Sequence, residues 1–167
     1  MARKHKGPVR RLGDNAYALC LELSDRDALA GLLDQLRDSL LTDSSDEKLR
    51  RLFPTAYHQD PEHDAEYQRL MRDDLLASRL QSLGTATSLL SRESVNNMIN
   101  LTTQELDEFA RSINNLRLVI GTVLDIDESD IDVDLDEDDP DDQRLVLYGY
   151  LGWLLDWAVT AQLDEYS

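Results

Sequence analysis

Thr102–Leu124, TTQELDEFARSINNLRLVIGTVL, is the stretch whose reading decides the fold. It opens T-T-Q-E. A threonine with glutamate three residues on is a capping box, in which the hydroxyl accepts from the backbone of the glutamate and the carboxylate reaches back to the cap. Leu106, Phe109, Ala110, Ile113, Leu116, Ile120 and Leu124 then recur at helical spacing, which predicts one amphipathic helix with Gly121 as a loosening point. The apolar stripe is interrupted. Arg117 falls in line with Ile113, Ile120 and Leu124, and Asn114 and Asn115 sit on its flanks. A guanidinium drawn towards a core needs carboxylate or carbonyl partners. The three residues read either as a structural polar network that fixes how helices dock, or as a small polar site that binds something.

Outward from this helix the pattern stays helical. Ser24 with Asp27 resembles a second capping box, and Leu29, Leu32, Leu33, Leu36 and Leu40 continue from it. Thr42–Lys48 reads as a loop. Asp60 is a good N-cap and Pro61 a good first helical residue, so a helix starts there and runs through Tyr67, Leu70, Met71 or Leu75, and Leu83, past Gly84 to Leu90. Ser91–Asn100 reads as a connector. The last helix, from Gln143 to Leu163, places Leu145, Tyr148, Leu151, Leu155 and Ala158 on one face. Trp153, Leu154, Trp157 and Val159 make it apolar nearly all round. Such a helix expects cover from its own core or from a second copy, so a homodimer is one of two readings. Ala16–Leu23 alternates as a strand does, and Ile131–Leu135 is the segment that reads as its partner. The expectation is a mainly α fold: one compact helical domain of about four helices over residues 16–167, with a minor β element of one or two strands and a basic arm over residues 1–15.

Charge divides the chain. Net charge is −17, yet residues 125–142 hold twelve of the 34 acidic residues and none of the 17 basic ones. Asp125, Asp127, Asp130, Asp132, Asp134 and Asp136 alternate with Ile131, Val133 and Leu135 near the middle of this insert. The run reads either as a solvated loop or as a docking surface for a basic protein partner, ordered on contact. A field of this sign repels phosphate, so direct nucleic-acid binding is disfavoured. The exception is the start, MARKHKGPVRR, whose five Lys and Arg suit a solvated tail, the chain's own acidic loop, or phosphate.

Chemistry-bearing motifs are sparse. There is no G-x-x-x-x-G-K-[ST], G-x-G-x-x-G or G-x-S-x-G, and no cofactor is expected. The run from Asp125 begins like a calcium loop but carries Asp130 where glycine belongs, Asp132 where an apolar residue belongs and Asp136 where glutamate belongs. His58 and His63 read as surface residues, and no metal site is expected. Cys20 is the one cysteine, so no internal disulfide forms. It reads as a small packed residue or as a reactive thiol, which needs exposure and a nearby cation. No signal segment and no membrane span are evident, and a cytoplasmic protein is expected.

Three stretches in this order, RRLFPTAYHQDPEHDAEYQRL, LTTQELDEFARSINNLRLVIGTVLDI and LVLYGYLGWLLDWAV, resemble the actinobacterial domain-of-unknown-function family twenty-seventeen, with its AosR-like oxidative-stress regulators. The likeness covers most of the chain, from about Leu12 to Leu163. The family signature falls on Leu52, Pro54, Tyr57, Asn115, Leu116, Arg117, Leu118, Gly121, Leu124, Tyr148 and Leu151. The chain departs from the pattern at Asn115, where aspartate is usual, and in lacking a tryptophan near Phe109. The resemblance implies a non-enzymatic regulator, tied to redox-linked transcription control through contact with a sigma factor. A gene neighbour encoding the ClpS adaptor implies, alternatively, a factor of the Clp protease pathway. Paired cysteines, where the family's redox switch relies on them, are missing here. From outside the binding proteins, an enzyme with a small polar pocket around Arg117 is the competing class.

Overall fold

The computed structural model describes residues 7–54, 61–124 and 140–163. Over these the chain is mainly helical with a small antiparallel sheet. Strand β1 spans Val9–Gly13, β2 Ala16–Cys20, and helix α1 Leu23–Thr42. A 3₁₀ helix spans Glu47–Leu52. Helix α2 covers Pro61–Leu90, β3 Met98–Leu101, α3 Thr103–Val123 and α4 Pro140–Leu163.

Ala16–Cys20 is a strand, as its alternation predicts, and it is the central one of three, in the order β1-β2-β3. Val9 pairs with Leu19, and Tyr17 pairs with Leu101. The β element is therefore larger than the one or two strands expected. Both neighbours come from stretches read otherwise: β1 from the basic start and β3 from the Ser91–Asn100 connector. Ile131–Leu135, expected to pair here, lies outside the described residues. Asparagines make both turns possible. Asn15 takes φ 52° between β1 and β2, and its side-chain oxygen accepts from the Thr103 amide at 2.9 Å, tying the hairpin to the start of α3. Asn96 and Asn97, with φ 55° and 61°, form a two-residue turn closed by Met98 N–H to the Val95 carbonyl at 3.0 Å. Two successive left-handed residues match the twist of the flanking strands, and asparagine tolerates that conformation better than most residues do.

Helix α1 begins at Leu23, with Glu22 as its N-cap and no side-chain cap bond. The box read at Ser24 does not form, because Ser24 already lies inside the first turn. The Thr102 box does form: Glu105 N–H donates to Thr102 Oγ1 at 3.1 Å, and Thr102 N–H to Glu105 Oε1 at 3.0 Å. A cap of this kind stabilises a helix by ~1 kcal/mol. Arg92 pairs with Glu105 from outside the helix and holds that carboxyl below the usual carboxylate range.

Helix α3 is the centre of the assembly. It packs against α2, α4, the 3₁₀ helix and the sheet. Leu106, Phe109, Ile113, Leu116 and Ile120 are buried along it. Around them lie Leu29, Leu33, Leu36 and Leu40 of α1, Leu49 and Leu52 of the 3₁₀ helix, Leu83 and Leu89 of α2, and Leu151 and Leu154 of α4. Each such side chain contributes ~1.5–3 kcal/mol on leaving water, set against the entropy of ordering the chain. Helix α4 buries one face only, since Val146, Trp153 and Val159 remain exposed. No described helix is long and apolar enough to cross a membrane.

Candidate functional site

Arg117 stands at a junction of three elements. It is half-buried, and its guanidinium lies over the Tyr148 ring of α4, 4.3 Å from the centroid. Its Nε is shielded from solvent and has no hydrogen-bond partner among the described residues. The ring therefore supplies stabilisation for this cation where carboxylate or carbonyl partners were expected. Two glycines make room. A Cβ at Gly152 would come 3.4 Å from Arg117 Nε. One at Gly121 would come 3.1 Å from both Arg51 Nη1 and Tyr148 Cε2. Arg51, Arg117, Gly121, Tyr148 and Gly152 thus converge from the 3₁₀ helix, α3 and α4. Leu52 and Leu151 are fully buried nearby in the common core, and Leu124 is half-buried at the end of α3. Arg51 and Gly152 were not singled out in the sequence.

The three polar residues of α3 do not meet. Asn114 is exposed, while Asn115 is fully buried on the face that holds Ser112 and Thr122. Those two hydroxyls donate to Glu108 O and Leu118 O of their own helix at 2.9 and 2.8 Å. Neither Oδ1 nor Nδ2 of Asn115 has a partner among the described residues. Successive positions on a helix point 100° apart, so three residues over four positions cannot share one face. Among the described residues no hydrogen bond joins Asn114, Asn115 and Arg117.

Cys20 lines a cleft of about 370 Å³ with Arg10, Glu22, Asp25, Tyr150 and Trp153. Burial raises the thiol pKa, and the Arg10 charge lowers it by less. A protonated thiol is a weaker nucleophile than a thiolate. Burial, helped by the Asp25 charge, pushes the Tyr150 hydroxyl up to about 12.

A third feature went unnoticed in the sequence. Tyr67, Leu70 and Met71 of α2, expected on a core face, are exposed by 45%, 62% and 41%. From Ala65 to Asp74 no residue of α2 is buried. The reason is length. Thirty residues of helix span about 45 Å, and the buried part of α2 begins only at Ser82. The exposed half forms one wall of a cleft of about 560 Å³, lined by Phe53, Pro54, Ala65, Tyr67, Gln68, Arg69, Met71, Arg72 and Leu75. Arg72 closes its floor: it stacks on the Phe53 ring at 4.3 Å and donates to the Ser44 carbonyl. Pro54, two residues past the end of the 3₁₀ helix, adds its ring and no backbone N–H to the lining. The signal was available in the long apolar spacing of α2 beside a shorter α1.

Tyr57 and the acidic positions Asp125, Asp127, Asp130, Asp132, Asp134 and Asp136 lie outside the described residues. Among the described residues, no three His, Cys, Asp or Glu side chains stand close enough to hold a metal ion. Comparison with curated proteins and with solved structures found no match. The junction of Leu52, Arg117, Gly121, Tyr148 and Leu151 carries the residues of the resemblance, and a family model matches residues 6–162: the chain belongs to the family described as domain of unknown function DUF2017.

Proposed function

We propose that this chain is a non-enzymatic regulatory protein that works by holding another protein, and that the first half of α2 is where it holds it. The observation that carries this is the exposure of Tyr67, Leu70 and Met71 beside an apolar cleft of about 560 Å³. Contiguous exposed apolar side chains on a helix mark an interaction surface, whereas singly scattered ones do not. Recognition of this kind lays one amphipathic helix into the groove beside another. The rest of the molecule supports the role: a capped α3 packs on the other helices and the sheet, and α2 is buried in its second half while its first half is exposed. The process served is transcription control, with a sigma factor or related protein as the partner, in line with the resemblance.

The test places a photo-crosslinking residue at Leu70 in the full chain, and at the exposed Gly31 of α1 as control, in the native host. A single covalent partner at position 70, absent at position 31 and lost when Met71→Glu is added, is the expected result. Equal labelling at both positions, or none at position 70, overturns the proposal. Mass spectrometry of the adduct decides whether the partner belongs to transcription.

A further inference from the structure

We infer that the occupant of the α2 cleft is an acidic amphipathic helix of another protein. This rests on the reading of that cleft as the docking site and adds the chemistry of what docks. Its apolar wall is set by Tyr67, Met71 and Leu75, which recur every fourth residue and so form a line about 12 Å long. A partner helix meets such a line with anchors one turn apart. The charges of the lining are of one sign. Among the described residues of the lining, Arg69 and Arg72 are the charged members and none is a carboxylate, although the chain as a whole carries −17. Arg72 is already fixed by the Phe53 ring and the Ser44 carbonyl, so ordering it on binding costs little. Arg69 is exposed at the rim, where a guanidinium can grip a carboxylate with two parallel hydrogen bonds.

The other occupants fit less well. A second copy of this chain, docked face to face, sets Arg69 and Arg72 against their own counterparts. A basic helix meets the guanidinium pair head on. An uncharged apolar helix satisfies the wall and offers nothing to the Arg69 guanidinium at the rim. A helix with leucine or phenylalanine anchors on one face and glutamate or aspartate beside them satisfies both the wall and the rim.

The probe is a fluorescein-labelled helical peptide with Leu and Phe at i, i+3, i+4 and i+7 and glutamate at the remaining surface positions. It is compared by anisotropy with a twin carrying lysine in place of glutamate, both titrated into the full chain. The acidic peptide is expected to bind at least about tenfold tighter at low salt, with the gap closing as salt rises. Met71→Glu, which removes the anchor site, weakens it by about tenfold or more. Arg69→Glu, at an exposed position that leaves the core alone, erases the preference between the two peptides. Equal binding of the two, no binding of either, or an Arg69→Glu variant with its preference intact overturns the inference. So does a Met71-dependent dimer in sedimentation. If the crosslink at Leu70 persists while the charge preference is absent, protein docking stands and only the acidic occupant falls.

Discussion

Replacing glycine by alanine in a helix tests the packing at the Arg117 junction, because the same change has opposite signs at different positions. At Gly84 in α2 an added Cβ meets nothing within 4 Å. Only helix propensity then acts, and alanine is worth ~1 kcal/mol over glycine in a helix interior. For a chain of this size that raises Tm by about 2–4 °C. At Gly121 in α3 the propensity gain is the same, but the Cβ arrives 3.1 Å from Arg51 Nη1 and 3.1 Å from Tyr148 Cε2. The guanidinium is the end of a flexible side chain and can yield. The tyrosine ring is held under the Arg117 guanidinium, so a shift of the ring disturbs that stack. Overpacking of this kind costs ~1–3 kcal/mol. The sum for Gly121→Ala is a loss of up to about 2 kcal/mol, so the two variants separate by ~1–3 kcal/mol in opposite directions. Thermal and urea unfolding of both, followed by circular dichroism, reads the difference. If Gly121→Ala stabilises as much as Gly84→Ala, then Tyr148 and Arg51 do not press on this face of α3, and the junction as described is wrong.

Other expectations follow from single contacts. Phe109→Ala, at the buried centre of α3, loses ~3–5 kcal/mol in denaturant unfolding. Thr102→Ala removes the capping hydroxyl and costs ~1 kcal/mol, measurable in the same assay. Glu105 has a lowered pKa, so its contribution is present above the ordinary glutamate pKa and is lost as pH falls through the lower folded value. Glu105→Gln therefore flattens the acid limb of the stability profile. Tyr150 has the opposite sign. Its hydroxyl is pushed up to about 12, so its share of stability is full below the ordinary tyrosine pKa and falls as pH rises towards 12. Ultraviolet difference titration of the folded chain shows a late phenolate step, which Tyr150→Phe removes.

Much of the helical plan was legible because apolar spacing and end signals agreed. Thr102 and Glu105 named the start of α3, and the capping box formed. The run through Gly84 to Leu90 held because one glycine costs a long helix little. Where only one kind of signal was present, the outcome differed. Ser24 had a cap-like neighbour in Asp27, but the chain entered the helix earlier, from a strand ending at Cys20 that fixed its path. The sheet was half legible. Its centre alternates visibly, while β1 carries arginines at Arg10 and Arg11 that read as a basic arm. β3 has only Met98–Leu101, too short for a period to appear. Asn96 and Asn97 were the signal for β3: paired asparagines suit the left-handed turn that begins a hairpin.

The site was less legible than the fold, and the reason lies in what a helical wheel leaves out. It assigns each residue to a face but does not say which neighbour covers that face, or how far along. Arg117 read as a cation drawn into a core and in need of carboxylate or carbonyl partners. Its partner is the aromatic ring of Tyr148, admitted by the absence of side chains at Gly121 and Gly152. Those glycines sit thirty-one residues apart, so local spacing could not link them. The same limit hid the docking face. Tyr67, Leu70 and Met71 follow the period of a buried stripe, yet all three are exposed, because the part of α2 buried among the described residues begins only at Ser82. An apolar period is therefore a statement that a face wants cover. Whether the cover comes from the same chain is decided by the elements around it, which the period itself does not encode.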